Sequence, residues 1–224
     1  MPAPPPLDAP SPKDVLAAAE RVRPFVHHTP LLTSRAIDGA CGRSVLMKAE
    51  EVGALREQTL TENRHALRAA AADLRGAFAA GGTLLALGNG GSATDAMDVV
   101  ADLRAGGRRA LDLTEDTGII TAIANDIGTE AIFARQVIAL ARASDVLLAL
   151  STSGNSPNVI AALAEARRRE LTTVAMVGYD GGRVAAEQLA DHVIVTRSEH
   201  IPRIQEAQAS AYHVLCELIE SHDT

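Results

Sequence analysis

The stretch Thr83-Leu84-Leu85-Ala86-Leu87-Gly88-Asn89-Gly90-Gly91-Ser92-Ala93-Thr94-Asp95 decides the fold. An unbroken apolar run ends in a cluster of glycines, and a helix-forming pattern follows directly. A run without polar interruption reads as a strand covered on both faces, as inside a parallel sheet. Gly88, Gly90 and Gly91 let the backbone turn sharply and bring successive N–H groups forward with no Cβ in the way. Ser92 and Thr94 are candidate caps for the following helix, whose positive end then points back at the turn. Such a turn is suited to an anion, most often a phosphate.

The same pattern recurs further along the chain. Asp145-Val146-Leu147-Leu148-Ala149-Leu150 is a second buried strand, ending in Ser151-Thr152-Ser153-Gly154-Asn155-Ser156, and Pro157 opens a helix to about residue 170. Around these two units the spacing predicts a long helix over 59–80, stopped by Gly81-Gly82, and a helix over 92–103. It also predicts a short strand over 109–113 and helices over 117–124 and 130–141. A strand over 172–177, a helix over 182–190, a strand over 192–196 and a closing helix over 203–221 complete the pattern. Strands and helices alternate, as in an open parallel α/β sheet with helices on both faces. Ligands in such sheets sit at the carboxyl ends of the strands, where both polar turns fall.

The chain has 224 residues, enough for one sizeable α/β domain and an appendage. Hydrophobic residues make up 47% but aromatics only 2%, so the core must be built from Ala, Leu, Val and Ile. Residues 1–12, rich in Pro and Ala, read as a disordered arm, 13–58 as an N-terminal extension and 59–224 as the main domain. Within the extension, 13–24 has helical spacing, and His27-His28 reads as a solvent-facing pair on an extended connector. No apolar run is long enough to span a membrane and no signal peptide is recognisable, so a cytoplasmic protein is expected. Cys41 and Cys216 lie far apart without metal-ligand spacing and read as reduced thiols. A net charge of −7 and the lack of a basic, aromatic-interleaved stripe argue against nucleic-acid binding.

The first turn alone leaves two chemistries open. Gly88-Asn89-Gly90-Gly91-Ser92-Ala93 satisfies a dinucleotide fingerprint, with Asp112 near the distance expected of a ribose-binding acid. The second turn favours a phosphate monoester. Ser151, Thr152, Ser153 and Ser156 put four hydroxyls at one strand end, which a dinucleotide fold does not need.

Taken together, Gly88-Asn89-Gly90-Gly91-Ser92, Asn125-Asp126, Leu150 through Ser156 and Arg203-Ile204-Gln205-Glu206 resemble the sugar isomerase (SIS) domain family. Within that family the similarity is greatest to the phosphoheptose isomerases, which convert sedoheptulose 7-phosphate into a heptose 7-phosphate, and it spans about 60–220. The resemblance implies a doubly wound, five-stranded parallel sheet flanked by helices, assembled into a homotetramer with sites between subunits. It implies phosphate contacts from Ser151, Thr152, Ser153 and Ser156, and sugar contacts near Asn89, Gly90, Gly91 and Ser92, with Asn125, Asp126 and Gln205 completing the substrate set.

Aldose–ketose isomerisation needs a base at one carbon, an acid at the carbonyl oxygen and stabilisation of the developing oxyanion. The family uses a glutamate and a histidine, with zinc held by histidine, glutamate, glutamine and histidine. Gln205 and His213 match their counterparts and, eight residues apart, share one helix face. Asp98 stands where the family's metal histidine is expected, and Asp102 where its catalytic glutamate is. The implied catalytic pair is therefore Asp102 and His213, and the implied divalent-metal set, for zinc, is Asp98, Asp102, Gln205 and His213. Pro202 replaces a substrate-facing acid, and no residue around Arg104 to Gly107 clearly matches an expected basic one. Asp95 is expected to tie down the glycine turn. These departures keep a second reading in play, that of a non-catalytic SIS module binding a phosphosugar or a protein partner.

The extension carries a resemblance of its own. Ala19 through Pro24, Thr29-Pro30-Leu31 and Leu46 through Glu50 resemble the opening of threonine dehydratase-type pyridoxal-phosphate enzymes. In that family a Ser-Phe-Lys motif follows and its lysine holds the cofactor. Here Glu51-Val52-Gly53-Ala54-Leu55 follows instead, so pyridoxal phosphate is not expected.

Overall fold

The computed structural model describes residues 31–33, 46–48 and 52–221. The chain divides into two compact units that part after Glu50. In the first unit, strands β1 (Leu31–Thr33) and β2 (Leu46–Lys48) pair antiparallel. The arm, the 13–24 helix, the His27-His28 pair, Cys41 and most of the dehydratase-like segment lie outside the described residues.

The second unit begins with two helices, α1 (Val52–Glu62) and α2 (Arg64–Ala79). The single helix expected over 59–80 is thus two, and the reason is Asn63. Its backbone leaves the helical region (φ −101°, ψ 11°), and its buried side chain bonds to a distant strand. Asn63 Nδ2 donates to the carbonyl of Val195 at 2.9 Å, and Oδ1 accepts from the Val195 N–H at 2.9 Å.

Five strands follow: β3 (Leu84–Gly88), β4 (Ala110–Asp112), β5 (Val146–Ser151), β6 (Thr172–Gly178) and β7 (His192–Thr196). They form one all-parallel sheet in the order β4-β3-β5-β6-β7. Helices α3 (Gly91–Ala105), α4 (Thr117–Asp126), α5 (Ile132–Leu140), α6 (Pro157–Arg168), α7 (Gly182–Ala186) and α8 (Ile201–Glu220) connect and close it. The strand over 109–113 and the helix over 182–190 are each shorter than their sequence spacing predicts.

Side-chain alternation divides the core between the two faces of the sheet. Leu84, Ala86, Leu148, Leu150, Val174 and Met176 pack against α2, α3 and α8. Leu85, Leu87, Leu147, Ala149, Ala175 and Val177 pack on the other face against α5 and α6. Both central strands are buried along their whole length, which explains their unbroken apolar sequences. Among the described residues no helix is long and apolar enough to cross a membrane.

The chain leaves β3 for β4 on one side and returns as β5 on the other, so the connections diverge between the carboxyl ends of β3 and β5. That divergence opens a crevice where open α/β sheets take their ligands. Both polar turns are there.

Candidate active site

The glycine turn starts α3 differently from the capping expected of Ser92 and Thr94. Gly90, at φ 57°, occupies the cap position, and no side chain caps the helix. Only a residue without Cβ takes that backbone conformation readily. Ser92 is buried against Gly88, where a Cβ would collide with the Ser92 backbone, and Thr94 Oγ1 donates to the Gly91 carbonyl at 2.6 Å. The Ser92 and Ala93 N–H groups donate to the Asn89 and Gly90 carbonyls, each at 3.0 Å, so the turn is closed by its own backbone.

The serine turn is braced from behind. The N–H of Gly178, at the end of β6, donates to the Thr152 carbonyl at 3.0 Å, and Val184 N–H donates to the Gly154 carbonyl at 3.1 Å. Gly154, at φ 61°, lies so close to Gly181 that any side chain would strike its carbonyl. Ser151 and Ser156 hydroxyls stand 3.2 Å apart, and Ser153 Oγ accepts from the Asn155 N–H at 3.2 Å. Ser156 precedes α6 without capping it, so its hydroxyl, paired with that of Ser151, faces the head of the helix.

The two turns are joined by a pair of amides. Asn89 Nδ2 donates to Asn158 Oδ1, and Asn158 Nδ2 donates to Asn89 Oδ1, each at 2.9 Å. Asn158 carried no signal in the sequence beyond following Pro157. Gln205 reaches the same place from α8, its side-chain amide packed so closely on Gly91 that a Cβ there would have to displace it.

A second cluster lies between α3 and α8. His213 Nδ1 bonds to the Ala209 carbonyl at 2.6 Å, which leaves Nε2 facing Asp102 Oδ2 at 3.5 Å and Asp98 Oδ2 at 3.9 Å. The three side chains are 45–54% exposed, so His213 is not a core histidine. Tyr212, which the sequence did not single out, donates its hydroxyl to Asp98 Oδ2 at 2.7 Å. Burial first, then that hydrogen bond, pushes the Tyr212 hydroxyl well above its ordinary range, so it remains a donor. Asp95, one turn before Asp98, has its carboxyl pushed up to about 6, mainly by burial and further by the Asp98 charge. Its Oδ2 is buried without a hydrogen-bond partner, in contrast to the expected tie to the glycine turn. Burial, followed by the Asp102 charge, pushes the Cys216 thiol up to about 12, as fits an inert reduced cysteine.

The expected metal donors come together incompletely. Asp98 and Asp102 converge on His213, but Gln205 packs on Gly91 and Tyr212 holds one Asp98 oxygen. Among the described residues no group of three or more His, Cys, Asp or Glu side chains is arranged to hold a metal ion. Within one chain the donor set does not fit a resident zinc, which needs three or four ligands near 2.0–2.3 Å.

Other expected residues lie apart or are occupied. Asn125 and Asp126 end α4, where Asn125 Nδ2 donates to Asp126 Oδ1 at 2.8 Å, and Asp126 lines a cleft with Ile119, Ile127 and Leu140. Asp112 Oδ1 accepts from Thr114 N–H and Oγ1, both at 2.7 Å, and is spent within its own loop instead of offered to a ribose. Arg104 Nε donates to the Ala110 carbonyl at 3.0 Å. Pro202 fits the first turn of α8, where its missing N–H costs nothing.

Comparison with known proteins agrees with this geometry. Residues 49–178 match the family model described as the SIS domain. The phosphoheptose isomerase of Solidesulfovibrio magneticus is 40% identical over 186 residues, covering 80% of this chain and 90% of that relative. Among solved structures, a phosphoheptose isomerase from Neisseria gonorrhoeae superposes with a TM-score of 0.72 at 38% identity, over 76% of this chain and 94% of that one. Another, from Francisella tularensis, superposes with a TM-score of 0.72 at 30% identity, over 84% and 99%.

Proposed function

Since the chain belongs to the SIS domain family, among its phosphoheptose isomerases, we propose that it interconverts sedoheptulose 7-phosphate and the heptose 7-phosphate aldose. Two observations carry this reading: the two helix heads without a side-chain N-cap at the carboxyl ends of β3 and β5, and an acid–imidazole cluster about three turns further along α3, facing α8. The first provide a grip for a phosphate monoester. The second provides groups able to move a proton.

In this reading the phosphate binds the serine turn, through the hydroxyls of Ser151, Thr152, Ser153 and Ser156. Asn89, Gly90, Gly91 and Ser92, with Gln205, border the sugar; Asn125 and Asp126 belong to the substrate set through the family resemblance. Asp102 removes the proton from the carbon next to the carbonyl. His213, whose Nδ1 is committed to the Ala209 carbonyl, works at Nε2, delivering a proton to the carbonyl oxygen as the enediol forms. Asp102 then returns its proton to the neighbouring carbon while the other enediol hydroxyl gives its proton to Nε2 and becomes the aldehyde carbonyl, which restores both groups. Asp98, held by Tyr212, stands as a fixed negative charge beside Nε2.

The same proposal includes a homo-oligomer, for which the family tetramer is the expected form. Helix α4 is strongly apolar yet contributes no buried residue, and Ile119 and Ile127 are 42% and 57% exposed. Met97, beside Asp98, is 52% exposed. Enediol chemistry benefits from exclusion of water, and a half-exposed acid–base pair needs a cover. A second copy laid over α3 and α4 would supply it. A cytoplasmic location fits a phosphorylated substrate and the unpaired thiol of Cys216.

Incubation of the purified protein with sedoheptulose 7-phosphate, followed by NMR, tests the reading through the appearance of an aldose 7-phosphate. Binding without any aldose would favour the non-catalytic phosphosugar module, a reading supported by the shortened acid at Asp102 and the incomplete metal set.

A further inference from the structure

The amide pair between the turns has a fixed direction. Asn158 Oδ1 accepts not only from Asn89 Nδ2 but also from the backbone N–H of Val159, at 2.9 Å. A backbone N–H can only donate, so the atom facing it must be the oxygen, and the orientation of the Asn158 amide follows. Nδ2 of Asn158 then faces Asn89 Oδ1, and that in turn fixes the orientation of the Asn89 amide. One N–H and one lone pair of Asn89 are left over, with their identities set by a helix backbone across the crevice.

We propose that Asn158 is a positioning residue for the phosphosugar site, acting through Asn89 to lock the glycine turn to the serine turn in the spacing a bound ligand requires. The proposal rests on the phosphosugar reading above. Three observations converge on it. The pair is the described side-chain link between the two turns, and it bridges residues 69 apart in sequence. The glycine turn has no side-chain cap to hold it, and Gly90 sits at φ 57° with open space around it. The serine turn, by contrast, is held by β6 and the head of α7. The two turns are therefore tethered to each other by two hydrogen bonds, and the orientation of Asn89 is read from α6. Preorganisation of this kind lowers the ordering cost of ligand capture.

A double-mutant cycle with Asn89→Ala and Asn158→Ala tests the mechanism. Asn158→Ala should raise KM for sedoheptulose 7-phosphate about tenfold with kcat changed less than about threefold. The double variant should be no worse than Asn89→Ala alone, because Asn158 acts through Asn89. Asn158→Asp retains the oxygen for Val159 but not the donor to Asn89, and should reproduce the KM rise if the alanine variant folds poorly. Hydrogen exchange on the ligand-free protein gives a second readout that does not depend on turnover. Asn158→Ala should speed exchange at residues 90–94, outside its own helix, while amides of β3 stay protected. Multiplicative single effects, a loss confined to kcat, or unchanged exchange across 90–94 would each overturn the proposal. Wild-type protein that neither turns over nor binds the sugar would instead contradict the isomerase reading, and the exchange experiment would still decide the lock.

Discussion

Asp102 carries the heaviest load, since it is one methylene shorter than the acid it replaces in the family and still lies 3.5 Å from His213. Asp102→Asn keeps the shape and removes the base. Turnover is expected to fall by about a thousandfold while heat protection by sedoheptulose 7-phosphate persists. Comparable loss of both turnover and binding would make Asp102 a binding residue. Asp95 makes a different prediction. Burial, with the Asp98 charge, pushes its folded-state carboxyl up to about 6, so between about pH 4 and 6 the native chain holds a proton that the unfolded chain releases. Its penalty is therefore absent below about pH 4 and grows as pH rises through 6. Asp95→Asn should raise Tm relative to wild type at pH 7.5 by at least about 2 °C, with the gain shrinking towards pH 4. The metal question belongs here too. Native mass spectrometry after zinc addition should find no tightly held ion, and one zinc per chain lost on His213→Ala would reinstate the expected set.

At the level of elements, two glycines separate packing from chemistry. Gly154→Ala forces a side chain onto the Gly181 backbone at a positive φ and should destabilise the fold, read as a lower Tm. Gly91→Ala meets only the mobile end of Gln205 and should leave Tm nearly unchanged while lowering kcat/KM about tenfold or more. The strands, their order of burial and both ligand turns were legible because an apolar run that stops at glycine or serine is a local pattern. The break at Asn63 was not, because it is decided by Val195, 132 residues away. Helical periodicity runs through the interruption, and only the tertiary bonds expose it. The cap was misread for a related reason, since serine and threonine advertise capping whereas Gly90 caps by conformation alone. Of the site, Asp98, Asp102 and His213 could be aligned by spacing and resemblance. Tyr212 and Asn158 act through partners 114 and 69 residues distant, and nothing in the linear pattern marks them.

For the whole molecule, the exposed apolar helix and the half-open acid–base cluster belong to one argument. The apolar cleft bearing exposed Ile119 and Ile127 is costly to leave in water. The double variant Ile119→Asp, Ile127→Asp should shift the protein to a smaller species in sedimentation and lower kcat with it. A smaller species with full turnover would separate the site from the assembly. The proposed isomerisation needs the phosphate grip at the carboxyl ends of β3 and β5 and the proton-transfer pair on α3 and α8 to act on one sugar. The most direct test of that claim is the reaction of sedoheptulose 7-phosphate in deuterium oxide with wild type and Asp102→Asn, followed by NMR at the two carbons adjacent to the shifting carbonyl. The account predicts aldose formation with solvent deuterium entering the product in wild type, and loss of both in Asp102→Asn despite retained binding. Wild-type protein that binds the sugar yet forms no aldose and exchanges no carbon-bound proton would contradict it.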